Sequence, residues 1–160
     1  MTSKIMIKIF VRRQILCLLE NNRIIKQWSI STSKYGTGNK SGSYKTPLGE
    51  HRIVSKVGGN ARLGAIFKKR RNTGKIAQVG KDWGDLITTR ILRLEGLQSG
   101  INKGKDIDSF KRCIYIHGTP EEELIGKPAS HGCIRMKNLD IAHLFGLVKR
   151  GTVVKILPKS

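Results

Sequence analysis

Ser130-His131-Gly132-Cys133-Ile134-Arg135-Met136 is the stretch of this 160-residue chain from which the rest can be read. It places a thiol one residue after a glycine and two after a histidine. Only the thiolate of cysteine is a strong nucleophile, and an ordinary thiol has a pKa of about 8.5, so a working one needs a base or a positive field nearby. Gly132 permits a sharp turn, so that backbone N–H groups around Cys133 converge on one point, which is how an oxyanion hole for acyl transfer is built. Arg135 is placed to hold a carboxylate with its guanidinium fork. Each piece alone has an ordinary alternative, since a lone cysteine is more often a small buried hydrophobe than a nucleophile.

Downstream of this segment, the spacing predicts a helix over Leu139 to about Lys149. Ile141, Leu144, Phe145 and Val148 recur at i, i+3, i+4 and i+7, with Asn138 as the cap, Asp140 in the first turn and Gly151 as the stop. A final strand follows over 152–157. Upstream, Cys113-Ile114-Tyr115-Ile116-His117 reads as a short strand closed by Gly118-Thr119-Pro120. Its alternation puts Cys113, Tyr115 and His117 on one face. Both His117 and His131 therefore qualify as a base for the thiol.

Most remaining segments also read as strands. Ile5–Val11, Ile15–Glu20 and Arg23–Ile30 come first, the last two joined by Asn21-Asn22, a turn pair that tolerates positive φ. Residues 31–49, rich in Ser, Thr and Gly, read as loop, and His51–Val57 and Leu86–Leu94 as strands. The region 60–108 is otherwise hard to read, with Gly96–Asp108 a polar loop near the site. The fold class expected is mainly β, with one main helix after the Cys133 segment, in a single domain over 1–160 with its core at about 5–157.

Composition narrows the class further. Hydrophobic content of 38% and charged content of 26% describe a soluble globular chain. Thirty-one Lys and Arg against 11 Asp and Glu give +20, a charge that gathers polyanions without naming one. Lys68-Lys69-Arg70-Arg71 is the dense cluster and looks like an exposed turn. No nucleic-acid-binding signature accompanies it, so a basic nucleic-acid module is a remote reading and no specific nucleic acid is expected. The three cysteines, Cys17, Cys113 and Cys133, lack metal or redox spacing, and no metal or cofactor is expected. No apolar run is long enough to span a membrane. Ile5–Val11, broken by Lys8, is too short for an export signal. With no heptad or apolar patch, a monomer is expected.

The chain resembles the L,D-transpeptidase catalytic domain, or YkuD domain, of bacterial peptidoglycan enzymes. The resemblance rests on Ile116-His117-Gly118-Thr119, on Ile125-Gly126 and on Ser130–Met136, with His117 and Cys133 16 positions apart. Thr46-Pro47-Leu48-Gly49 matches the family's Thr-Pro-x-Gly. The resemblance implies a mixed β-sandwich or distorted barrel and an acyl transfer in which Cys133 attacks a tetrapeptide stem and releases terminal D-alanine. It implies His117 as general base, Gly118 as its orienting carbonyl, and Ser130, His131 and Gly132 as shapers of the oxyanion turn. Arg135 and Thr119 fall to substrate binding, stem peptides to donor and acceptor, and carbapenems to inhibitors. It also implies a place in the cell envelope. A hydrolytic relative, an L,D-carboxypeptidase using water on the same acyl-enzyme, is the alternative.

Overall fold

The computed structural model describes residues 3–159 and is built mostly of β-structure with one α-helix. Ten strands form one mixed sheet: β1 (Ile5–Phe10), β2 (Ile15–Glu20), β3 (Arg23–Ser29), β4 (Gly49–Val57), β5 (Ala65–Lys68), β6 (Arg71–Ile76), β7 (Ile87–Gly96), β8 (Tyr115–Gly118), β9 (Ile134–Met136) and β10 (Val153–Leu157). Their order is β3-β2-β1-β10-β4-β7-β5-β6, and β7 also carries a branch, β8 and then β9. β1 and β10 are parallel, as are β8 and β9. The branch curls back until Arg135 of β9 meets Ser31, just past β3, through two backbone hydrogen bonds of 2.8 and 2.9 Å. This contact folds the branch back onto the β3 end of the sheet.

The enclosed face holds the aliphatic side chains that the alternation marks. Ile7, Ile9, Leu16, Leu18, Ile53, Leu92, Leu94, Ile116, Ile134, Val154 and Ile156 are all buried. Each such side chain contributes about 1.5–3 kcal/mol on leaving water. The helix α1 (Asn138–Leu147) closes this core with Ile141 and Leu144. Among the described residues no helix is long and apolar enough to cross a membrane.

Several sequence expectations change. The segment 31–48 is loop as expected, but its start is not at the surface: Ser31, Thr32 and Ser33 are buried. Thr32 is held by the buried Gln14 amide, which donates to Thr32 Oγ1 and accepts from the Thr32 N–H, while the Ser31 hydroxyl donates to the Lys127 carbonyl and the Ser33 N–H to Thr46 Oγ1. The unreadable middle holds the β5–β6 hairpin, whose two-residue turn is Lys69-Arg70 at φ 48° and 62°. Cys113 lies outside β8, because at φ 58° its backbone is left-handed and the alternation does not reach it. Asn138 is not the helix cap. Lys137 is, without a side-chain bond, and the Asn138 N–H instead donates to Glu122 Oε2 at 2.8 Å. The helix ends at Leu147, so Lys149 and Arg150 follow it.

Candidate active site

The parallel pairing of β8 and β9 sets Ile116 opposite Ile134 and His117 opposite Arg135. Cys133, one residue before β9, is therefore level with Tyr115, whose N–H donates to its Sγ at 3.3 Å. The thiol in turn points to the Cys113 carbonyl at 3.4 Å. His117 lies two residues along from Tyr115, on the same face of β8. It is buried, and its Nδ1 sits 2.6 Å from the Gly118 carbonyl. A carbonyl can only accept, so Nδ1 carries the proton and Nε2 keeps its lone pair.

Gly118 has no room for a side chain. A Cβ there would come within 2.7 Å of the Thr88 carbonyl and of Asn138 Oδ1. Gly132 is needed for a different reason: at φ 128° its backbone lies where side chains rarely go. The turn it makes is tied by Ser130, whose hydroxyl donates to the Cys133 carbonyl at 2.6 Å and accepts from the Gly132 N–H at 3.2 Å. Thr46, from the Thr-Pro-x-Gly segment, donates to the Gly132 carbonyl at 3.0 Å. Among the described residues, the N–H groups of His131 and Cys133 have no partner.

His131 is not placed as His117 is. Its partly exposed ring lies between Tyr35 and Tyr44, each centroid 6.1 Å away, with Nδ1 3.4 Å from Asp85 Oδ2. Arg135 is 2% exposed and its fork is occupied within the protein, by Asp85 at 2.6 Å and Glu121 at 3.3 Å. Thr119 is fully buried, and its hydroxyl accepts from the Glu121 N–H. Neither Thr119 nor Arg135 is among the residues that line the cavity bearing Cys133.

Electrostatics favour the neutral form of both the Cys133 thiol and the His117 imidazole. Burial, seconded by Asp85, pushes the Cys133 thiol up to about 12, against the Tyr115 N–H and Arg135, which stabilise thiolate. Burial and Arg135 lower His117 to about 4, against the pull of the Gly118 carbonyl and Asp85. Burial alone would raise Asp85, but the Arg135 guanidinium holds its carboxyl below the usual range.

Three structural participants carry no sequence signal. Asp85 meets Arg135 and His131 across about 50 residues of chain, in a stretch without a motif. Asn138 accepts from the Thr88 and Thr89 hydroxyls and donates to the Thr119 carbonyl and Glu122, locking the end of β8. Tyr115 holds the thiol through its main chain, which no side-chain pattern reveals. The cavity itself has a volume of about 540 Å³, and Cys133, Cys113, Tyr115, Asp85, His131 and Arg112 are among its lining.

Comparison with known proteins identifies relatives of the whole chain and of its fold. The Bacillus subtilis L,D-transpeptidase-family protein YkuD is 29% identical over 150 residues, covering 94% of this chain and 64% of that protein. YqjB of the same organism, also assigned to the L,D-transpeptidases, is 54% identical over 45 residues, 28% of this chain and 26% of its own length. The chain thus spans less than two thirds of these curated relatives. Among solved structures, L,D-transpeptidase 3 of Mycobacterium tuberculosis, crystallised with a faropenem-derived adduct, superposes with a TM-score of 0.58. It is 15% identical, over 96% of this chain and 60% of that one. An L,D-transpeptidase from Xylanimonas cellulosilytica gives 0.57 at 19% identity, over 98% and 62%. These likenesses show a shared fold. The YkuD sequence family, defined as the L,D-transpeptidase catalytic domain, matches residues 5–156, and this chain belongs to it.

Proposed function

We propose that this protein is a peptidoglycan L,D-transpeptidase that forms a thioester on Cys133. The observation that carries the reading is the Cys133–Tyr115–His117 arrangement: a cavity-lining thiol, and along one strand face from it a buried imidazole whose tautomer the Gly118 carbonyl fixes. Because thiol and imidazole are both neutral at rest, proton transfer accompanies attack rather than preceding it. Cys133 Sγ adds to the carbonyl of the third stem residue while its proton passes to His117 Nε2. The N–H groups of His131 and Cys133 receive the negative oxygen. Collapse breaks the C–N bond, and His117 returns the proton to the departing D-alanine amine. An amine of a second stem then attacks the thioester, forms a 3→3 cross-link and frees Cys133.

Arg135 and Thr119 serve this chemistry as positioning residues. The guanidinium anchors Asp85 and Glu121 beneath the turn, and Thr119 sets Glu121. The substrate class places the site of action at the cell envelope, outside the cytoplasmic membrane. The test is incubation with purified disaccharide-tetrapeptide and with a carbapenem. Dimers in the product mixture and a carbapenem adduct on Cys133 by intact mass are expected, both lost in Cys133→Ala and kept in Cys17→Ser and Cys113→Ser. Tripeptide without dimer would assign water as the acceptor. Absence of both thioester and adduct on folded, reduced protein would sink the reading.

A further inference from the structure

The wall of the Cys133 cavity carries three cations, Lys69, Arg70 and Arg112, and one acid, Asp85. The charge of that acid is already answered by Arg135 at 2.6 Å. None of the three cations has a carboxylate partner among the described residues. Arg112 donates to the carbonyls of Gly38 and Lys45, and Arg70 Nη1 donates to the Tyr115 hydroxyl at 2.8 Å. A neutral phenol fixes the Arg70 guanidinium without cancelling its charge, and leaves its other N–H groups for a ligand. The same Tyr115 holds Cys133 Sγ through its N–H, so one buried residue joins the cation to the nucleophile.

The backbone that presents these charges is itself unusual. Lys69 and Arg70 form the β5–β6 turn with both φ angles positive, where Asn-Gly is the unstrained choice. Strain retained at a cavity rim points to use of the side chains it projects.

We infer that Arg70, with Lys69, binds the free terminal carboxylate of the donor peptide, the anion one residue beyond the carbonyl that Cys133 attacks. This rests on the acyl-transfer reading for the identity of the peptide, and it makes Arg70 and Lys69 the determinants of donor selection. Charge-assisted bonds to a carboxylate imply a preference for the acid over its amide of about tenfold or more.

Binding to Cys133→Ala protein, which cannot react, separates the inference from the chemistry. The probes are L-alanyl-γ-D-glutamyl-L-lysyl-D-alanine, its C-terminal amide, and the analogue amidated on the second residue, compared by calorimetry at fixed ionic strength. The expected result is that only C-terminal amidation weakens binding, by about tenfold or more. Arg70→Gln with Lys69→Ser, and separately Tyr115→Phe, should shrink that preference. Lys75→Gln, on the exposed strand β6 outside the cavity, should leave it, which excludes general charge attraction. Equal binding of acid and C-terminal amide, a preference that follows the second residue instead, or a preference unchanged in Arg70→Gln/Lys69→Ser would overturn the assignment. Failure of the acyl-transfer reading is seen elsewhere, as absence of a thioester on wild-type Cys133.

Discussion

Acidification should begin to destabilise this protein before its carboxylates titrate. Two buried histidines, His51 and His117, are held neutral in the folded state down to about pH 4. Burial is the main cause for each. His51 sits between the Gly49 carbonyl at 3.0 Å and the Ser109 hydroxyl at 2.8 Å, with Arg112 adding repulsion. In the unfolded chain both rings titrate at about 6.5. Above that pH neither state binds the protons and nothing is lost. Below it the unfolded chain binds two protons that the folded one refuses, and each pH unit costs about 1.4 kcal/mol per ring. By pH 4 the loss is about 3 kcal/mol per histidine, together a large share of the roughly 5–15 kcal/mol that holds a domain folded. Asp85 and Asp108, held below their ordinary values, add their losses only at lower pH, and Asp140, raised by burial, works weakly the other way. Urea titrations at about pH 7, 5.5 and 4.5 measure the slope. His51→Gln, whose amide can serve both partners, should remove about half of it. A midpoint flat across this range, or a slope unchanged in His51→Gln, would refute the reasoning.

Other expectations concern single residues. Gly118→Ala forces a Cβ against the Thr88 carbonyl and Asn138, so it should cost about 1–3 kcal/mol by urea melting and slow carbapenem adduct formation. Gly146→Ala, on an open and exposed helix face, should instead stabilise by about 0.5–1 kcal/mol. Asn138→Ala strips partners from two buried threonine hydroxyls and the Thr119 carbonyl, and at about 1–3 kcal/mol per orphaned group should lower stability by about 3 kcal/mol or more. Cys133, its thiol pushed up to about 12, should react with iodoacetamide more slowly than a free cysteine at neutral pH, its rate still climbing above about pH 9. Peptide mapping after timed alkylation reads this, and a rate that levels off near neutrality would contradict it.

The sequence displays what is local. Alternation in Ile5–Phe10 and the continuous apolar run of Ile15–Glu20 mark the core strands, Asn21-Asn22 supplies the left-handed turn, and 3.6-residue spacing marks the face of α1. The basic cluster at Lys68–Arg71 reads correctly as a turn, but the strands β5 and β6 on either side escape, because every residue of β6 is exposed and no apolar pattern marks it. Asn138 misleads because its position fits a cap while tertiary partners 16 to 50 residues away claim its side chain. In the site, Cys133 and His117 sit in readable motifs. Asp85, by contrast, is set only by long-range contacts, and the burial that reshapes the pKa values is a property of the assembled sheet.

The place of β10 has a consequence in time. Residues 153–157 lie between β1 and β4, near the middle of the sheet rather than at its edge. On the ribosome, β1, β2 and β3 can pair as they emerge, but β4 reaches β1 only through β10, a strand made after all the others. A chain that stops before β10 therefore lacks the ladder that joins β1 to β4, and the Cys133 branch meets the first three strands without that central seam.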